Sequence, residues 1–62
     1  KAKIHDFRMV PGTTHTNLIF DLVLPAALFP KSREITDELR RRVRQLDGNY
    51  YAVIHAEISY AE

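Results

Sequence analysis

Residues 17–25 read NLIFDLVLP, the most hydrophobic run in the chain, and their pattern decides the fold. Leu18, Phe20, Leu22 and Leu24 fall on one face of an extended segment, and Asn17, Ile19, Asp21 and Val23 on the other. Successive strand side chains alternate between faces, so apolar residues on both sides predict a central strand. Asp21 is the anomaly on it, and Pro25 ends it.

Working outward, residues 3–10 read as a short strand, with Ile4, Phe7, Met9 and Val10 interleaved with polar residues. The PGTTHT segment at 11–16 carries a Pro-Gly turn signal, which predicts a hairpin. After the AALFP connection a helix is expected, with Ser32 as N-cap, Glu34 in the first turn and Gly48 at the C′ position. Ile35, Leu39, Val43 and Leu46 form its apolar stripe. Arg40, Arg41, Arg42 and Arg44 lie in the last turns, where cations suit the helix dipole. They read as a solvated face and not as a phosphate or anionic-lipid patch, since Glu34, Asp37 and Glu38 share the helix.

A last strand runs from Tyr50 to Tyr60, with Ala52, Ile54, Ala56 and Ile58 on one face and Tyr51, Val53, His55, Glu57 and Ser59 on the other. The order is β-β-α-β, an α+β class with a three-stranded mixed sheet of ferredoxin-like form. The strand–helix–strand step predicts a right-handed crossover with its two strands parallel. The helix then covers Leu18, Phe20, Leu22, Ile54 and Ile58, and the opposite face holds Asp21, His55 and Glu57 together. One helix is too little to cover such a sheet, so a second is expected before Lys1 or from a partner chain.

Size and composition bound what this domain can do. The 62 residues make a single domain, 1–62, with a core that supplies about 3–5 kcal/mol of net stability. There is no cysteine, which excludes disulfides, thiolate zinc sites and cysteine nucleophiles. The hydrophobic share of 45% is globular, and the net charge of +1 gives no electrostatic footprint for nucleic acid. No signal peptide is visible, and no apolar run approaches the roughly 18–20 residues that span a bilayer. The chain opens on Lys1 and enters a strand almost at once, which reads as part of something longer.

The titratable candidates for a metal are His5, Asp6, Asp21, His15, His55 and Glu57. His55 and Glu57 stand at i and i+2 of a strand, about 7 Å apart on one side, a spacing from which both reach one ion. Asp21 from the next strand adds a carboxylate, and His5 on the first strand is the natural fourth ligand. The bland reading of the same pattern is the polar face of a half-buried strand. His15 reads as a solvated turn residue, and Asp6 as an exposed partner of Arg8 or an outer support for a liganding histidine. No nucleophile elbow or phosphate loop is present, and the chain is too short to enclose a hydrolytic pocket. An RNA-binding sheet would need an aromatic pair, basic loops and a fourth strand; Tyr51 alone reads as packing.

At IHDFRMVPG, NLIFDLVLP, SREITDELRRRVRQL and YYAVIHAEIS the chain resembles the cytoplasmic C-terminal domain of cation diffusion facilitators, the divalent-cation/proton antiporters. An opening HD(L/F)R, an apolar strand, an (H)EI.DE helix start and a closing IH.(D/E) stand in order at the family's spacing over essentially the whole chain. The resemblance implies a metallochaperone-like α-β-β-α-β domain whose first helix would precede Lys1. It implies a non-enzymatic regulatory domain at the cytoplasmic membrane face. Such a domain works as a homodimer beneath the transmembrane domain of its parent transporter and binds a divalent ion (Zn²⁺, Mn²⁺ or Fe²⁺) near the dimer interface. The family's opening histidine falls on His5, its strand ligand on Asp21 and its closing pair on His55 and Glu57. The histidine often found at the helix start falls on Arg33, a cation that cannot ligate, so one site is expected in place of two. Carboxylates in place of histidines favour harder ions such as Mn²⁺ or Fe²⁺. Ligating histidines must be neutral, so affinity is expected to fall on acidification through the ordinary imidazole range. The alternative from a different class is a metal-free ferredoxin-like interaction module.

Overall fold

The structure is a computed structural model, and it describes residues 2–60. Strand β1 (Lys3–Pro11) and strand β2 (Thr16–Pro25) form a hairpin, helix α1 (Ser32–Leu46) follows, and strand β3 (Tyr50–Ser59) closes the chain. The sheet order is β1-β2-β3, with β2 antiparallel to β1 and parallel to β3, so the mixed α+β sheet expected from the pattern is formed. β2 is central because its apolar residues make both flanking positions and one whole face favourable. Leu18, Phe20, Leu22 and Leu24 are 0–6% exposed and make up the core. Burying each such side chain contributes about 1.5–3 kcal/mol.

The face carrying those four residues is the one α1 covers, together with half-buried Ala52, Ile54, Ala56 and Ile58 of β3. Ile35, Leu39 and Val43 are half-buried on the helix, as its stripe predicts, but Leu46 is 76% exposed. The helix residue best buried is Thr36, 8% exposed, whose hydroxyl donates to the Arg33 carbonyl at 3.0 Å. That bond satisfies the hydroxyl inside the helix and makes Thr36 admissible in the core.

Both helix ends differ from expectation. Ser32 is the first helical residue and Lys31 occupies the N-cap without a side-chain bond, because a 3₁₀ turn at Phe29–Lys31 leads straight into α1. Gly48 does follow the C-cap residue Asp47, yet no glycine has positive φ, so no left-handed cap forms. Asp47 turns the chain instead: its carboxylate accepts from the Asn49 amide (2.9 Å) and its carbonyl from the Tyr50 amide (2.9 Å). This Asx-type turn starts β3 directly.

β1 contains the feature that the alternation did not foresee. His5 pairs with Asp21 and Arg8 with Ile19, so Asp6 and Phe7 together face Phe20 alone. This is a β-bulge, and Asp6 adopts φ 56°, a left-handed value that most side chains avoid. The extra residue reverses the phase of the strand. Lys3 and His5 lie on the face away from α1 before the bulge, and Arg8 and Val10 lie there after it. Phe7 is turned to the helix side, where its ring stacks on Phe20 at 6.1 Å.

Helix α1 makes its sheet contacts chiefly with β3, which leaves β1 exposed along its whole length. The radius of gyration, 12.4 Å, exceeds the roughly 10.5 Å of a compact chain this long, and the extents of 39 × 20 × 13 Å describe a thin slab.

Two stability measurements check this account. Leu24→Ala, at the fully buried position, should cost about 2–5 kcal/mol by urea unfolding. Asp6→Val should cost about 1–2 kcal/mol, since a β-branched residue resists left-handed φ, whereas Asp6→Gly should leave stability unchanged within about 1 kcal/mol; equal losses in both would refute the bulge strain.

Candidate metal centre

The parallel register of β2 and β3 runs without interruption over ten residue pairs, and it places Asp21 beside His55. Paired residues of neighbouring strands share a face, so Ile19, Asp21 and Val23 line up with Val53, His55 and Glu57 on the side away from α1. Strand periodicity then brings Glu57 to the same side as His55. Potential ligand atoms of Asp21, His55 and Glu57 all lie within 4.8 Å of one another.

His55 stands at the centre of the group. Its Nδ1 is 3.1 Å from Glu57 Oε2, a hydrogen bond, and 3.7 Å from Asp21 Oδ1. When Nδ1 carries the proton, the imidazole donates to Glu57. An ion lying between the three residues would take the Nδ1 lone pair, with the ring proton on Nε2, so proton and metal compete for one nitrogen. Donors around a single ion at about 2.0–2.2 Å stand about 3–3.5 Å apart. The present spacing therefore needs only small side-chain rotations to close on an ion, and the residues fit one. Two carboxylates and one imidazole suit a borderline or hard divalent cation. The side chains are 29% (Asp21), 73% (His55) and 44% (Glu57) exposed, so the charges are screened and the ion would keep solvent-side positions open.

The other residues singled out from the sequence lie elsewhere. His5 is in register with Asp21 on the neighbouring strand, on the same face, but its ring nitrogens do not belong to the clustered donors. Asp6 is the bulge residue; with Phe7, Arg8, Ile19 and Asp21 it lines an open groove that abuts the cluster. Arg33 is the second residue of α1, in the helical layer. His15, in the hairpin loop, meets the Thr14 hydroxyl at 3.0 Å and tilts against the Tyr51 ring at 4.6 Å. Tyr51 precedes His55 by four strand positions, about 13 Å along β3, which keeps His15 away from the cluster.

Tyr51 also carries the Arg44 guanidinium at 4.6 Å from its ring centroid. Its aromatic face is thus already occupied by two of the chain's own side chains, which is a packing role. Three further arginines, in the C-terminal half of the helix, are drawn into local pairs: Arg40 with Asp37 at 3.1 Å, and Arg41 and Arg42 both with Glu38. The groove beside Asp21 and the Arg44–Tyr51–His15 contact were not read from the sequence. The one signal for the first was the phase break between Ile4 and Phe7; the second joins residues on three elements and left no local trace.

No protein family, curated protein or solved structure matches this chain. No helix among the described residues is long and apolar enough to cross a membrane.

Tyr51→Leu removes the stacking partner of both Arg44 and His15. It should cost about 0.5–1 kcal/mol by urea unfolding, the size of an exposed cation–π contact, and leave metal titration at the cluster unchanged. A loss of metal binding in this variant would show that the two ends of the open face are one site.

Proposed function

We propose that this chain is a metal-responsive dimerisation domain, non-enzymatic in itself, in which Asp21, His55 and Glu57 hold one divalent cation. The observation that carries the reading is the convergence of three donors from two strands on one exposed face, with ligand atoms within 4.8 Å. The cluster lies on an open sheet surface and not inside a chamber that would enclose a substrate. An ion held there is presented outward to whatever docks on the sheet. Such an arrangement lets the metal act on assembly, because a ligand shifts an equilibrium by its differential affinity for the two states.

The resemblance to cation diffusion facilitators supplies the setting. In that setting the domain sits at the cytoplasmic face of a membrane, below the transmembrane part of a divalent-cation/proton antiporter. The ion then reports cytosolic metal to the transporter through the dimer. The donor set favours Mn²⁺ or Fe²⁺ relative to an all-histidine site, with Zn²⁺ as the competitor.

Titration calorimetry with Zn²⁺ and Mn²⁺ tests the reading. The wild type should give saturable heat at about one ion per chain, and His55→Ala should lose at least about tenfold in affinity, as expected for removal of one of three ligands. Absence of heat in the wild type, or equal heat in His55→Ala, would refute a metal site at this position.

A further inference from the structure

Strand β3 is an edge of the sheet and pairs with β2 alone among the described residues. One hydrogen bond fixes the direction of its backbone groups. The Thr16 N–H donates to the Asn49 carbonyl at 2.8 Å, one residue before Tyr50, the register partner of Thr16. In a parallel ladder the N–H and C=O of one residue point to the same neighbour, and successive residues alternate. Tyr51, Val53, His55 and Glu57 therefore direct their backbone groups to β2. Ala52, Ile54, Ala56 and Ile58 direct theirs outward, as does Tyr50, whose N–H meets the Asp47 carbonyl of the preceding turn.

The two edges of the sheet differ in how they are guarded. β1 carries the bulge at Asp6–Phe7 together with Lys3, Arg8 and Pro11, all of which hinder a further strand. β3 is ten residues long, runs without a bulge and contains no proline, glycine, lysine or arginine. It is rich in tyrosine, valine and isoleucine, which favour strands, and Glu57 is its one acid. A long, regular edge of this kind is a template for strand addition.

Charge beside the edge selects what it takes. Glu57 and Asp21 lie on the open face next to it, with side chains 44% and 29% exposed. The basic side chains of that face, Lys3 and Arg8, stand on β1, two strand spacings or about 10 Å from β3. Arg44 lies over Tyr51 at the start of the strand, so the negative stretch is at His55–Glu57. A second copy laid antiparallel along the edge would bring two such acidic stretches together, and like charges across a strand pair are destabilising. A strand with lysine or arginine facing the acids is complementary.

We propose that the free edge of β3 takes an extended basic segment of another protein as a fourth strand. The segment bonds to the outward N–H and C=O groups of Ala52, Ile54, Ala56 and Ile58, and its basic side chains lie beside Glu57, with Asp21 behind. This proposal stands apart from the metal reading, since it needs the edge and the two carboxylates but no ion.

A capped, fluorescent seven-residue peptide alternating lysine with valine is the probe, and the same peptide with glutamate for lysine is its control. EDTA is present throughout, so the outcome does not depend on a metal. By anisotropy the lysine peptide should bind saturably and at least about fivefold more tightly than the glutamate peptide, the scale of an exposed charge pair. Hydrogen exchange of the wild type should slow on binding at Ala52, Ile54, Ala56 and Ile58. Ala56→Pro removes an outward N–H that β2 does not use, a substitution that edge strands accept, and should weaken the peptide at least about tenfold. Circular dichroism checks its fold; should it not fold, the exchange pattern of the wild type decides alone. No saturable binding, equal binding of the two peptides, protection away from the β3 edge or full binding in folded Ala56→Pro overturns the proposal. A wild type that sediments as a dimer, with Ala56→Pro a monomer, gives the edge to a second copy and overturns it equally.

Discussion

The in-register parallel pairing of β2 with β3 is the constraint on which the rest of the molecule depends. Ten consecutive pairs without a bulge tie Leu18–Leu24 to Ala52–Ile58 on one face and Asp21 to His55 on the other. A slip of one residue would turn His55 and Glu57 into the core and expose Ile54 and Ile58, a change that burial strongly opposes. The hydrophobic contact under α1 thus fixes the geometry of a polar cluster on the opposite surface. That is an economical arrangement for a small chain, because the residues that stabilise and those that present the site are alternate members of the same strands.

The same economy leaves much of the sheet uncovered. Helix α1 lies chiefly over β3, while β1 keeps Ile4, Phe7 and Met9 at 51–54% exposure on the helix side. Small domains bury a smaller fraction of their surface than large ones and commonly draw support from a metal or a partner. The one cluster of potential metal donors among the described residues lies on the open face. Its acids lie close enough to repel one another unless an imidazole or a cation stands between them, and His55 does so at 3.1 Å and 3.7 Å.

The bulge in β1 governs what that face presents. Without the extra residue at Asp6–Phe7, a strand with His5 facing outward would carry Phe7 and Met9 on the open face, and Arg8 beneath the helix side. With it, Phe7 stacks on Phe20 and Arg8 joins His5 beside Asp21. The left-handed φ of Asp6 is a local cost that this rearrangement offsets. A bulge also twists an edge strand and interrupts its hydrogen-bonding pattern, which, with Pro11 and the charges on β1, discourages pairing at that edge.

Sequence alone determined the element order, the central place of β2 and the sharing of one face by Asp21, His55 and Glu57. These follow from period-two alternation and one helical stripe, both local properties of the chain. Tertiary structure decided what local pattern cannot carry. The phase reversal at Asp6 depends on how β1 registers against β2. Thr36 enters the core in place of Leu46 because α1 lies chiefly over β3. Ser32 yields the N-cap to Lys31 because a 3₁₀ turn feeds the helix from behind. His5 stays outside the clustered donors for the same kind of reason. Face was legible from alternation, but the row and the side of Asp21 on which three side chains converge are set only when strands with fixed twist and register are brought together.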